Sequence, residues 1–294
     1  MQLILFFVPV FKETMWGGSK LSSEFLYDCV EGTGEVWGIS AHPHGLSTVS
    51  NGLYQGKTIK ELWEKHRDLF GNHPLDDFPI LVKFIDAFDD LSIQVHPRGE
   101  QALKEGTVAK DEFLYILSCD PMTDIIIGHH AKNKAQFMNY IERSDYHHLI
   151  RRIPIKKGDS FLIEAGTLHA ISKGTLFLEV EHSCDVGYRF YDYDRIYHGK
   201  KRPLQVRKAM NTVKIPDDEI KHNVENETFK VEIQQYNQAN TIMNGPYGTF
   251  FVILDGEGQV NQSSCKKGDF GFVTSDENEI NVSGAIQIAW IILV

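Results

Sequence analysis

The sequence predicts a mainly β protein of sandwich or jelly-roll type with helices attached, assembled from two copies of one β unit. Three observations predict this. Short β-rich runs bounded by turn residues fill most of the chain, among them "FPILVKFIDAF", "DEFLYILSC", "TLFLEVE", "GTFFVILDGEG" and "IQIAWIILV". Helical periodicity is confined to two stretches. An internal repeat relates "KKGDSFLIEAGTLHAISKG" (156–174) to "KKGDFGFVTSDENEINVSG" (266–284). Both open Lys-Lys-Gly-Asp, and both run from one glycine (158, 268) to another (174, 284) over the same span. Upstream, "EFLYILSC" parallels "TFFVILDGEG". Duplication followed by divergence accounts for such a pair.

Each element has a local reason. The apolar start "MQLILFFVPVF" has no basic n-region or cleavage site and is interrupted by Pro9, so it reads as a buried strand and not a signal peptide. "TIKELWEKHRDLFG" (58–71) has a capping threonine, helical apolar spacing and a closing glycine, and is expected near the barrel mouth. "NKAQFMNYIERSDYHHLIRRI" (133–153) reads as one or two short helices. "LSIQVHP" (91–97) alternates: Leu91, Ile93 and Val95 share one face, and Ser92, Gln94 and His96 share the other. The boundary falls near residue 220. Residues 1–220 form a first unit with the helical segments; residues 221–294 form a second, degenerate one with which the N-terminal strands can pair.

Composition is that of a soluble globular chain: 294 residues, 42% hydrophobic and 24% charged. A net charge of −10 argues against a general nucleic-acid binder. It leaves room for an anionic small substrate in a locally basic pocket. The cysteines, Cys29, Cys119, Cys184 and Cys265, lie far apart and form no Cys-x-x-Cys, which suits reduced thiols in a cytoplasm. No run is long enough to span a membrane.

The polar face of "LSIQVHP" poses a choice between a solvated surface and a metal pocket. His96 ends that strand, Glu112 opens the next in "AKDEFLYIL", and His169 follows a turn in "AGTLHAI". Two histidines and a carboxylate match an open catalytic zinc site, with Gln94 as an additional oxygen donor. Thirteen histidines also produce accidental triples, and a histidine at a strand end is more often structural. His129, His130, His147 and His148 lie in polar, helix-like surroundings and read as solvated surface. Between 221 and 294 the only histidine is His222, so a metal in the repeated unit belongs to the first copy.

"WGISAHPHGLSTVSNG" (37–52), "FPILVKFIDAFDDLSIQVHP" (78–97), "GTLHAISKG" (166–174) and "YRFYDYDR" (188–195) together resemble the type I mannose-6-phosphate isomerases, most closely their short bacterial form. The resemblance implies cupin (double-stranded β-helix) units and one zinc ion per chain. It places the zinc ligands at His96, Glu112 and His169, with Gln94 as a further ligand, and a catalytic arginine at Arg189. Departures occur at Arg98-Gly99 after the histidine, at Ala109 in "AKDE" and at Glu164 in "EAG". None removes a ligand.

The reaction so implied interconverts mannose 6-phosphate and fructose 6-phosphate by proton transfer through an enediol. Arg189 is cast as a fixed positive charge facing the developing enediolate; its structural alternative is an ion pair with Asp192 or Asp194. Glu179 is the candidate for proton transfer, with Glu181 on the same strand face equally placed. Ser92 is the candidate hydrogen-bond donor to the substrate's phosphate, with Lys83, Arg98 and Lys110 as cationic partners. A non-catalytic sugar-binding or regulatory cupin, and a metal-dependent cupin oxygenase, are the competing readings.

Overall fold

The strand Ile80–Ala87 is buried at all eight positions, as its near-continuous apolar sequence requires of a strand covered on both faces. It lies inside a six-stranded sheet ordered Ser160–Ile163, Glu112–Ser118, Thr175–His182, Ile80–Ala87, Thr33–Ser40, Val10–Gly18. The computed structural model describes residues 4–217, 219–222 and 224–294. The first three residues of the apolar N-terminal run lie outside these.

Alternate side chains send the two faces of this sheet to different partners. Val36, Phe84 and Phe113 join Phe250, Phe270, Phe272 and Ile291 in the largest apolar cluster. Those partners come from an eight-stranded sheet in which Phe229–Tyr236, Glu279–Leu293, Thr249–Val260 and Phe270–Val273 are consecutive neighbours. The N-terminal strand Ile4–Val8 extends it, pairing with Phe270–Val273. On the opposite face, Ile85, Leu114, Ile116 and Phe177 pack against Ile125, Ile127 and Ile171. These three belong to a five-stranded sheet ordered Tyr188–Tyr191, Ile93–Val95, His169–Ile171, Asp124–His129, Ile150–Pro154. The six-stranded sheet is therefore the middle layer of three.

The repeated Lys-Lys-Gly-Asp segments form the same turn. Gly158 and Gly268 both have φ of +92°, a region that favours glycine. The amide of Lys156 donates to Asp159 Oδ2 at 2.9 Å, and that of Lys266 to Asp269 Oδ2 at 2.8 Å. Each turn then joins a preceding strand through two backbone bonds, at Ile116 in one copy and Ile253 in the other.

The helices differ in part from expectation. Thr58 caps the helix Ile59–Lys65 with a complete capping box, and a 3-10 turn Arg67–Phe70 ends at Gly71. This segment does not reach the cavity mouth: Leu62, Trp63 and Phe70 sit in the shared core, with Phe70 stacked on Phe272. The 133–153 stretch gives helices Lys134–Glu142 and Tyr146–Leu149, but Ile150–Pro154 is a strand. Its β-branched Ile153 and the neighbouring sheet edge outweigh weak helical periodicity. His129 is buried, not solvated, and meets the Lys214 carbonyl at 2.7 Å, whereas His130, His147 and His148 are exposed. Among the described residues no helix is long and apolar enough to cross a membrane.

Candidate active site and metal centre

Ile93 and Val95 face away from the middle layer, into a cluster with Phe137 of the helix Lys134–Glu142 and Ala209 and Met210 of the helix Val206–Thr212. The helices thus cover the apolar side of "LSIQVHP" and leave Ser92, Gln94 and His96 facing inward. All three line a cavity of 370 Å³ between the five- and six-stranded sheets, of a size suited to a small phosphorylated sugar. The polar face is neither solvated surface nor core.

His96 and Glu112 line one end of this space and His169 converges on them, all three buried. His96 Nε2 lies 3.2 Å from His169 Nε2 and 2.9 Å from Glu112 Oε1; His169 Nε2 lies 3.3 Å from Glu112 Oε2. Each imidazole is held from behind. His96 Nδ1 is 2.9 Å from the Val186 carbonyl, and His169 Nδ1 is 3.0 Å from the Thr167 carbonyl. A carbonyl only accepts, so both Nδ1 atoms donate, and both Nε2 atoms face Glu112.

Burial pushes the His96 pKa down to about 4, against the pull of Glu112. Burial works to raise the Glu112 pKa, but His96, Lys110 and His169 outweigh it and hold it well below the usual carboxylate range. Two imidazole nitrogens and a carboxylate thus converge on one point. Such a donor set suits a divalent cation. The donor separations fit zinc: bonds of about 2.05 Å at tetrahedral angles put ligands about 3.3 Å apart. Gln94 lies directly across from His169 in the strand register. A Cβ at Gly187 would stand 2.7 Å from Gln94 Oε1 and 3.3 Å from His96 Cε1, so the glycine leaves room for both side chains.

A charged floor adjoins this centre. Lys83 Nζ meets Glu179 Oε2 at 2.6 Å and Glu181 Oε1 at 2.7 Å; Lys110 Nζ meets Glu181 Oε2 at 2.6 Å and Glu112 Oε1 at 3.1 Å. Burial disfavours both ammonium groups, yet the surrounding carboxylates raise the pKa of each above the usual lysine value. Lys83 and Lys110 line the cavity but are already ion-paired. Glu179 lines it as well and Glu181 does not, which separates two residues that the sequence left equal. Burial raises the Glu179 pKa while Lys83 opposes it.

Arg189 lines the cavity opposite this floor. Its Nε donates to the Pro203 carbonyl at 3.3 Å. Asp192 pairs instead with Arg195 and Arg202, and Asp194 with Lys201; among the described residues no carboxylate is within ion-pair reach of Arg189. The Ser92 hydroxyl donates to Asp192 Oδ1 at 2.5 Å and receives Arg202 NH1 at 3.3 Å. Arg98 does not join the group. Its Nε donates to the Thr212 carbonyl at 2.6 Å, on the far side of the histidine-bearing strand end, and it faces a separate surface groove with Gly99 and Asn211. The short path from Pro97 to Gly99 turns the chain away from the cavity.

Sequence reasoning missed Arg202, Tyr197 and Asp185, all cavity-lining. Tyr197 and Arg202 arrive on and just after the hairpin Ile196–Tyr197/Lys200–Lys201. The cationic run Gly-Lys-Lys-Arg (199–202) was their one visible signal.

Residues 4–120 match the family model for the catalytic domain of type I phosphomannose isomerase. The chain is 39% identical to the probable mannose-6-phosphate isomerase GmuF of Bacillus subtilis, over 96% of this chain and 97% of that one. It is 45% identical to the mannose-6-phosphate isomerase ManA of the same organism, over 77% and 73% of the two chains. Its structure superposes on a crystal structure of the Bacillus subtilis mannose 6-phosphate isomerase with a TM-score of 0.93 at 37% identity, covering 99% of each chain. A zinc-bound mannose 6-phosphate isomerase shares the fold at a TM-score of 0.79 and 15% identity, covering 99% of each chain. With near-complete coverage at these identities, the chain belongs to the type I phosphomannose isomerase family.

Proposed function

We propose that the chain interconverts mannose 6-phosphate and fructose 6-phosphate using one zinc ion held by His96, Glu112 and His169, with Gln94 as a further donor. The observation that carries this reading is the convergence of two imidazole Nε2 atoms and the Glu112 carboxylate on one point beside a cavity with two guanidiniums in its wall. Zinc bound there supplies Lewis-acid stabilisation of negative charge on neighbouring sugar oxygens.

The protein's own groups do the rest. Glu179 takes the proton from one of the two reacting carbons and returns it to the other; burial favours the protonated state it must pass through. Arg189 keeps its charge and offers fixed donors to the enediolate oxygen. Arg202, oriented by Asp192 beside Ser92, binds the phosphate dianion with Arg189 close by. The hydroxyl of Ser92 is engaged by Asp192, so Ser92 orients this end and the guanidiniums carry the charge. Lys83 and Lys110 tune the carboxylates. We assign catalysis to residues 1–220 and read 221–294 as a copy without metal. The four free cysteines suit a reducing, cytoplasmic setting.

The test is isomerase turnover with mannose 6-phosphate before and after chelation, followed by zinc add-back. Chelation should abolish turnover and zinc restore it. His96→Ala and His169→Ala should each weaken zinc binding more than about 100-fold, beyond the loss expected for an outer-shell change. Full zinc retention in both variants would overturn the ligand set.

A further inference from the structure

Glu112 and Glu181 stand directly opposite each other on neighbouring strands. Like charges in that relation destabilise a sheet, and both side chains are buried, Glu181 with no exposure at all. One strand further, Glu179 stands directly opposite Lys83, an attractive pair. Burial pushes the Glu181 pKa well up against the pull of Lys110 and Lys83; with an ammonium group on each oxygen, Lys83 at 2.7 Å and Lys110 at 2.6 Å, those contacts favour its ionised form. These contacts lie off the hydrogen-bonding direction, so they act as charge contacts. Lys83 also touches Glu179, and Lys110 also touches Glu112.

The five side chains form an alternating line: Glu179, Lys83, Glu181, Lys110, Glu112. Its two ends are the candidate base and the candidate metal ligand. Its centre, Glu181, does not line the cavity. The three carboxylates are close enough together to invite a cation of their own, but two ammonium groups already occupy the space among them.

We propose that Glu181 is the buried counter-charge that holds both lysines, leaving Glu112 free to bind the metal and Glu179 free to accept a proton. This rests on the ligand and base assignments made above. Without Glu181 the two ammonium groups would share only two carboxylates. Lys110 would draw closer to Glu112 and compete with the metal for its Oε1 atom. Lys83 would hold Glu179 more tightly in its ionised state and weaken it as a base. Glu181 is thus a positioning residue, acting through its neighbours in a water-excluded layer where such charges are strongly felt.

Glu181→Gln removes the charge at nearly constant shape. Zinc affinity is read on the holoenzyme without substrate, by competition with a chromophoric chelator. Turnover is read separately at saturating zinc. The expected result is zinc binding weaker by about 10- to 100-fold and kcat lower by a similar factor, typical of outer-shell partners. KM should stay within about threefold, since Glu181 does not touch substrate. Glu181→Asp keeps the charge but is too short to reach both lysines. It should hold zinc within about threefold of the unmodified protein while kcat falls, because charge sets metal affinity and reach sets geometry.

Unchanged zinc affinity and kcat in Glu181→Gln, even with a lower Tm, would overturn the proposal. So would equal zinc loss in Glu181→Asp and Glu181→Gln. Where Glu181→Gln fails to fold, the Glu181→Asp comparison with the unmodified protein decides: zinc loss beyond about tenfold there is the overturning result. An unmodified protein that neither holds zinc nor turns over mannose 6-phosphate would instead reject the functional reading itself.

Discussion

Arg189 stands directly across from Gln94 in the antiparallel register, and Gln94 stands directly across from His169. Side chains paired this way share one face of a sheet. Strand register therefore sets Arg189 on the same face as the candidate metal centre, its backbone about two strand spacings, or roughly 10 Å, from that of His169. Arg189→Lys keeps a positive charge but loses the planar fork and the Nε contact to Pro203. Turnover should fall about 100- to 1,000-fold, as when a transition-state donor is removed, while zinc content stays unchanged. Parallel kinetics and metal analysis check this; unchanged turnover would make Arg189 structural.

Arg202 approaches Ser92 and Asp192 from the hairpin side of the cavity. Its proposed partner is the phosphate, which is present in substrate and transition state alike. Arg202→Ala should therefore act mainly on KM, raising it about 10- to 100-fold, the worth of a charge-assisted hydrogen bond. A fall confined to kcat would place Arg202 at the reacting carbons instead.

Acid should destabilise the metal-free protein through His96. Its folded pKa of about 4 lies below the ordinary 6.5, so between these values the unfolded chain binds more protons than the folded one. Stability is then fully present above about pH 6.5 and is lost as pH falls toward about 4, by up to about 3 kcal/mol. His96 faces Glu112, Lys110 and His169, and a bound cation would exclude its proton. The zinc form should hold its stability further into acid and then release metal. Urea midpoints of chelated protein across this pH range, with His96→Gln as the reference, measure the effect. A slope identical in both proteins would remove His96 as its source.

The layers, the ligands and the gaps in the sequence reading have separate physical causes. Alternation in "LSIQVHP" exposed which three side chains act together, because strand parity is local. It did not say which face was inward, since that depends on helices from residues 134–142 and 206–212 covering Ile93 and Val95. Repeat spacing located the twin turns at Gly158 and Gly268, whose geometry is set within four residues. Arg98 looked as suitable as Lys83 because both are cations near the motif. Only the chain's turn after Pro97 separates them. Arg202 was missed because a hairpin, with no periodic signal, delivers it.

Gly38 tests whether the two halves share one core. It sits in the strand Thr33–Ser40 where the register with Ile80–Ala87 shifts between Trp37 and Ile39. A Cβ there would meet the Phe270 ring at 2.1 to 2.2 Å. Phe270 is fully packed, with its ring centroid 5.1 Å from that of Phe84, so neither aromatic can withdraw without shifting the interface between the middle and eight-stranded sheets. Gly38→Ala should cost about 1 to 3 kcal/mol by overpacking and lower Tm while zinc content persists. Adding Phe270→Leu should recover part of that loss, because the two sites are in contact and their effects are not additive. Calorimetry of the single and double variants provides the measurement. An unchanged Tm in Gly38→Ala would mean that the sheets can part at Phe270 without cost, and so that the halves do not fold around a common core.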